Sequence, residues 1–426
     1  MSALTSVSPL EYARAGGTLA AGWSYITWHA VVRRDPLMQL FTWAGRRDRY
    51  ALYERLREQG SVVTSTTGFR AVVGHAAADQ VLRSRDVSVV TSGGGTDTLP
   101  FDLSLLELDP PDHTRLRALV APAFTARRMA VQEDRIRAAV DRFTDELAGR
   151  LADGPVDLME AFARPLPVLM ITSLLGIPDD EVEPLTRYGN AVGLALDGVQ
   201  SLEHHRALKE ADAQLRALFE RLVERRRRDP GDDLVSHLVA AEGEGRLTHA
   251  ELLPLASLLL VAGFETTVNL VGNAVAALLD RPDLWRRVTD DPGLAERAVD
   301  ETLRQDPPVQ LTGRTPMRDL VLDGHAVPAG TGLVVLLGAA NRDPDVFERP
   351  AEFDLDRPNS RDHLAFSSGI HHCVGRPLAE LEGRLALEAL ATRLPRLVRA
   401  GRGTMASGVV LHGRRTLPVK LAGPRR

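Results

Sequence analysis

The chain has 426 residues, 44% of them hydrophobic and 26% charged, the ordinary balance of a soluble globular protein. A formal charge of −5 argues against a nucleic-acid binder, and the single cysteine, Cys373, cannot close an internal disulfide, so nothing points to an oxidising compartment. The start, MSALTSVSPLEYARAGG, lacks the basic-then-apolar order of a secretory signal. The longest apolar stretch, residues 252–264, is broken by Pro254 and Ser257 and falls short of the roughly 20 residues that cross a bilayer. A cytoplasmic protein without a transmembrane anchor is expected.

Three of the four tryptophans, Trp23, Trp28 and Trp43, lie in the first 43 residues, with Tyr25 and Ile26 among them and Arg33 and Arg34 after them. An interfacial membrane helix has this composition; so does an N-terminal extension over residues 1–45 packed on the rest of the protein, the reading taken here. A helix is expected over Asp48–Gln59, closed by Gly60. SVVTSTTGFRAVVG (residues 61–74) then reads as a hairpin turning at Thr67-Gly68. TSGGGTDTLP (residues 91–100) reads as a flexible loop. From Asp112 to about Ala240 the apolar spacing is helical, and the run Arg225 to Arg228 suits a solvated helix C-terminus better than a nucleic-acid patch.

Thr248-His249-Ala250-Glu251 is a capping box, with Leu247 before it as a staple residue. The helix it opens can run to about Asp280, where Arg281-Pro282 stops it, a span of about 45 Å at about 1.5 Å per residue. It is apolar on nearly all sides and should lie buried through the middle of the molecule. Beyond Val309 short apolar runs broken by Gly and Pro, as in LVLDGHAVPAGTGLVVLLGAA (residues 320–340), predict a small β region. The whole reads as mainly α with small β-sheets, without internal repeats or a strong domain boundary.

Two features carry chemistry. The central helix holds Glu265 inside LLLVAGFETTVNL (residues 258–270), and a buried carboxylate is costly unless paired or protonated. Gly263 weakens the helix by about 1 kcal/mol relative to Ala, and a threonine hydroxyl can bond a carbonyl one turn back, so Ala262, Gly263, Glu265 and Thr266 can open a gap for a small ligand or water. A kinked helix with a satisfied glutamate explains this segment equally well. The second feature is FSSGIHHCVG (residues 366–375), where Cys373 is either a small buried hydrophobe or a reactive thiol. A zinc site from His371, His372 and Cys373 would need three adjacent residues to converge, and a cysteine hydrolase would need a base and an orienting residue that nothing here supplies.

Taken together, F-x-x-G-x-H-x-C-x-G (Phe366, Gly369, His371, Cys373, Gly375), DPPDHTRLR (residues 109–117), AGFETT (residues 262–267), ETLR (residues 301–304) and FDLDR (residues 353–357) occur in an order that resembles a cytochrome P450 of the soluble actinobacterial type. The resemblance covers roughly residue 46 to the end, and the family usually has Gly where this chain has Ser367. It implies a single P450 domain over residues 46–426, with a long central buried helix over a haem and a cysteine ligand loop beneath. The cofactor would be haem b (iron protoporphyrin IX), with Cys373 as the metal ligand and Phe366 and Gly375 in its loop. His113, Arg117, Arg314 and His371 would hold the propionates, and Glu301, Arg304 and Arg357 would form a structural ion-pair triad. A thiolate pushes electron density towards bound oxygen, and a helix N-terminus, here that of GRPLAELEGRLALEAL, helps to keep it ionised. Gly369 and Gly375 would let the backbone pass close to sulfur and haem.

The implied reaction inserts one atom of O₂ into a C–H or C=C bond, with Thr266 as hydrogen-bond donor and Glu265 as proton relay. A peroxide-driven oxygenase, an isomerase or a non-catalytic haem sensor would share the fold. Electrons would come from NAD(P)H through a ferredoxin and ferredoxin reductase, docking where Arg115 and Arg376 supply positive charge. The substrate would be a hydrophobic small molecule of secondary metabolism, a polyketide macrolactone first, with steroids, terpenoids and fatty acids open. It would be lined by Ala262, Phe264, Val309, Leu311 and Val409 and by the segments near residues 87–106 and 187–202. A monomer is expected.

Overall fold

The computed structural model describes residues 20–90, 102, 104–182, 201–406 and 408–423. The glycine-rich stretch 91–100, residues 1–19 and residues 187–200 of the expected substrate hairpin lie outside them.

The molecule is built around the helix His249–Leu279. Its capping box is complete: Thr248 Oγ1 accepts from Glu251 N at 3.3 Å, and the Glu251 carboxylate accepts from Thr248 N at 2.9 Å. Leu247 is buried beside it. The helix ends at Leu279, and Pro282 opens the next one, Pro282–Asp290, as the Arg281-Pro282 pair predicts. By length and apolarity alone the central helix could cross a membrane, but 78% of its most apolar window is buried inside the protein, which makes it a core helix. Pro165–Leu175, Leu202–Arg228, Ala295–Gln305 and Arg376–Arg393 pack around it, and their apolar faces merge into one large core.

The sheets are small. The predicted hairpin pairs Val62–Thr64 with Arg70–Val72, Val63 opposite Ala71, and turns at Gly68, whose φ of +90° suits glycine alone. It extends through Leu333–Val335 and Thr312–Pro316 to Val87–Ser88, a five-stranded sheet in which only Arg70–Val72 and Leu333–Val335 run parallel. Leu320–Leu322 and His325–Val327 form a second hairpin, turning on Asp323-Gly324 with both φ angles positive, as a two-residue turn requires.

The N-terminal extension divides in two. Ala30, Leu37 and Leu40 are buried in a core shared with Tyr53, Leu56, Leu311 and Val409. Residues 20–32 are helical, yet Trp23, Trp28 and Trp43 are 38%, 55% and 63% exposed. The part of the extension that packs is the stretch from Ala30 to Leu40, while its tryptophans are exposed.

One buried network fixes the path of the chain from the helix Ala295–Gln305 towards the cysteine. Glu301 and Arg304 have no exposed side-chain surface, and Arg357 has 3%. Arg304 Nε and Nη2 each donate to the Glu301 carboxylate at 2.8 Å, and Arg357 Nε donates to it at 3.1 Å. The guanidinium nitrogens left over donate to the carbonyls of Asn341, Glu348, Arg349, Pro350 and Glu352, and Asp354 N donates to Glu301 Oε1 at 2.9 Å. Asn341 then passes the constraint on, its Oδ1 accepting from Leu364 N at 2.7 Å, two residues before Phe366. Glu301→Ala would strand two buried guanidinium groups. Chemical denaturation should show a loss of about 3 to 5 kcal/mol, and a loss below about 1 kcal/mol would contradict this structural role.

Candidate active site

The cysteine loop is held by backbone bonds: Ser367 N to Leu364 O at 2.9 Å, His372 N to Gly369 O at 3.1 Å and Cys373 N to Phe366 O at 2.9 Å. Gly369 has φ +70°, and a Cβ there would lie 2.4 Å from Leu82 O, so this glycine serves the packing of the loop on the helix His75–Arg83. At Gly375 an added Cβ would sit 3.9 Å from Cys373 Sγ, an ordinary contact that forces nothing. Ser367 occupies the left-handed region at φ +61°, and its Oγ is buried without a partner. Phe366 is half-buried, its ring 5.5 Å from the Arg376 guanidinium and 5.9 Å from the His363 ring.

Cys373 has exposed surface, yet desolvation by the surrounding protein pushes its thiol pKa up. The two observations agree only if one side of the sulfur is packed and the other faces an internal opening. The backbone N–H groups of Gly375 and Arg376, at the start of the helix Arg376–Arg393, and the charges of Arg117 and Arg376 oppose the rise without overcoming it.

Basic side chains converge from three segments of the chain. His113 and Arg117 lie four apart on the helix Asp112–Val120, Arg314 lies on the strand Thr312–Pro316, and His371 belongs to the cysteine loop. The rings of His113 and His371 are 4.1 Å apart, and His113 Nδ1 and His371 Nε2 are buried without partners. Arg117 Nη2 donates to His372 O at 2.5 Å. Burial, followed by the other cations nearby, holds His371 down at about 4, and burial holds Arg314 down at about 10. His113 and Arg117 are lowered for the same first reason. Asp109 is the one carboxylate that opposes these shifts, acting on His113, His371 and Arg314. It is itself placed by Ser88 Oγ and by Val89 N at 3.2 Å. The sequence pattern contained Asp109 but gave no sign of this part.

The middle of the central helix opens where the sequence placed a gap. Ala262 is exposed and Gly263, Glu265 and Thr266 are half-buried, while the helix on either side is buried. Thr266 Oγ1 donates to Ala262 O at 3.1 Å. Glu265 Oε2 is buried without a hydrogen bond, and the nearest cation, Arg164 Nη1, is 3.9 Å away. Burial raises the Glu265 pKa, with Arg164 opposing. Arg164 was not singled out from the sequence, because only the packing of the helix Pro165–Leu175 brings it here. Of the five expected substrate-lining residues, Ala262 and Val309 present surface. Phe264 is 2% exposed and packs in the main core: two residues from Ala262 is about 200° around the helix, so it faces away. Leu311 and Val409 are buried in the smaller core, at its edge near the five-stranded sheet.

The docking role expected of Arg115 and Arg376 is not supported. Arg115 is taken up by Glu251 at 2.5 Å and Asp112 at 2.9 Å, and Arg376 by Glu380 at 2.7 Å. The patterns i,i−3 and i,i+4 at Asp112 and Glu380 were legible signs of this pairing.

The opening therefore gathers cations short of anions, two imidazole nitrogens short of acceptors, and a sulfur short of positive charge. A porphyrin iron with two propionates supplies all three, so the residues present fit that group.

Comparison with known proteins agrees. The family profile described as Cytochrome P450 matches residues 293–394. Cytochrome P450 monooxygenase PikC of Streptomyces venezuelae is 38% identical over 387 residues, covering 88% of this chain and 91% of its own. 6-Deoxyerythronolide B hydroxylase of Saccharopolyspora erythraea is 40% identical over 321 residues, covering 74% and 77%. The ligand-free crystal structure of Mycobacterium smegmatis CYP164A2 superposes with a TM-score of 0.83 at 38% identity, covering 91% of this chain and 99% of that one.

Ser367→Gly removes a left-handed Cβ and a buried, unpartnered hydroxyl. It should stabilise the folded chain by about 1 kcal/mol in thermal or chemical unfolding, and a destabilised variant would show that the hydroxyl has a partner here.

Proposed function

The chain belongs to the cytochrome P450 family and is an oxidoreductase of its monooxygenase type; on that premise we propose that it oxygenates a hydrophobic natural product, a polyketide macrolactone being the first candidate. The observation that carries the reading is the cluster of His113, Arg117, Arg314 and His371 at the cysteine loop, with the ring nitrogens of His113 and His371 buried without partners. The relative named as 6-deoxyerythronolide B hydroxylase supports the substrate class. The electrons come from NAD(P)H through a ferredoxin and its reductase, and the enzyme works as a monomer in the cytoplasm.

In this proposal Cys373 ligates the iron of haem b, and His113, Arg117, Arg314 and His371 hold the propionates. The chemistry the haem supplies when bound is reduction and cleavage of O₂, with transfer of one oxygen atom to the substrate and release of the other as water. The chain supplies protons and position. Burial keeps the Glu265 carboxyl protonated above its ordinary range, and Arg164 lies close enough to steady it when the proton leaves. Thr266 Oγ1 needs only a rotation away from Ala262 O to donate into the opening. Glu265 holds a proton on the Arg164 side, and Thr266 supplies a hydroxyl donor one residue on. Ala262 leaves the helix face there without a bulky side chain.

Glu265→Gln keeps size and hydrogen bonding and removes the transferable proton. With ferredoxin, reductase and NADH present, kcat should fall by about 10²-fold while substrate binding stays unchanged, and a loss under about threefold would take Glu265 out of the relay. The same assay under isotopically labelled O₂ should place one labelled oxygen in the product. Product formed only with added peroxide would favour the peroxide-driven alternative.

A further inference from the structure

We propose that residues 20–47 form a peripheral docking surface for a bilayer containing anionic phospholipid. Residues 20–32 are helical and contain no Asp, Glu, Lys or Arg. Trp23, Tyr25, Trp28, Val31 and Val32 are all exposed, and Trp43 adds a sixth large apolar side chain a short way on. The other exposed large hydrophobics among the described residues are scattered along the chain. Residues 20–25 are exposed on all sides of the helix, so its aromatic rings are not confined to one face, yet exposed aromatic rings gathered in one short segment suit the level of lipid headgroups.

The segment is held rigidly. Asp35 is buried, its Oδ1 accepting from Leu37 N at 2.9 Å and Met38 N at 3.3 Å. Its Oδ2 accepts from Ser65 Oγ at 2.7 Å, Thr66 N at 2.6 Å and Thr66 Oγ1 at 2.7 Å. His29 Nδ1 meets Thr66 Oγ1 at 2.6 Å, and Gln39 Nε2 donates to Ala30 O at 3.0 Å. The helix is thus clamped to the hairpin at its C-terminal end, and residues 20–25 stand exposed beyond it.

Charge selects the occupant. Between residues 20 and 47 there are four arginines, Arg33, Arg34, Arg46 and Arg47, and one acid, Asp35, which is buried and spent on five donors. The rest of the chain is net acidic, so the basic character is local to this face. Arg33, Arg34 and Arg55 also line a polar cavity of about 260 Å³ at the foot of the helix, open to solvent and of a size to take a phosphate headgroup. A second copy of the chain docked on the same face would bring Arg33 and Arg34 against their like, whereas an anionic surface neutralises them.

The test uses the full-length holoenzyme and vesicles of phosphatidylcholine, with or without phosphatidylglycerol. Three of the four tryptophans are exposed in this segment and the fourth, Trp285, is buried, so emission reports the contact directly. Wild type should co-sediment with the anionic vesicles, its emission should shift to shorter wavelength, and binding should weaken as salt rises from about 0.1 to about 0.5 M. Trp23→Ser/Trp28→Ser/Val31→Ser and Arg33→Glu/Arg34→Glu should each weaken binding by at least about tenfold while leaving the haem spectrum unchanged. Wild type remaining in the supernatant would overturn the proposal. So would binding that survives both sets of substitutions, or a concentration-dependent dimer that the tryptophan variant dissolves.

Discussion

The position of the reactive loop depends on one carboxylate, Glu301, fully buried between the guanidinium groups of Arg304 and Arg357. Between Asn341 and Phe366 the chain carries little regular structure, so its buried carbonyls need donors from elsewhere. Arg304 and Arg357 supply them, and Glu301 compensates their charge. Replacing such a network with apolar groups is often neutral or favourable for stability alone, which leaves its geometric role as the better reason for it. Through Asn341 and Leu364 the same network delivers the chain to the turn that ends at Cys373.

The opening beside Cys373 has the reverse character. In the network behind the loop Glu301, Arg304 and Arg357 are paired; at the front Arg314, His371 and His113 are depressed as bases, the thiol is raised, and Glu265 is raised as an acid. Each is a cost that the folded chain bears on its own, and the first four are relieved by one dianionic, iron-bearing group. Glu265 lies outside that compensation, with Arg164 as its one cation at 3.9 Å.

What the sequence made legible was local. The capping box at Thr248, the turn at Thr67-Gly68 and the stop at Arg281-Pro282 each depend on a few adjacent residues, and the structure follows them. The spacing of Glu301 and Arg304 placed both on one helix face, and the gap at Ala262 to Thr266 stood out as polar and small residues in an apolar run. The misses were tertiary. Asp109 and Arg164 act through packing that no local pattern encodes, and the contact of Gly369 with Leu82 on another helix was equally invisible. Trp23, Trp28 and Trp43 were visible as a cluster, but composition could not say which way they face.

The central claim is that Cys373 binds haem iron as a thiolate, and the reduced protein exposed to carbon monoxide tests it most directly. Wild type should show a strongly red-shifted Soret band, and Cys373→Ser should lose it while the protein stays folded by circular dichroism. An unshifted band in folded wild type, or a red-shifted band that survives Cys373→Ser, would contradict the account.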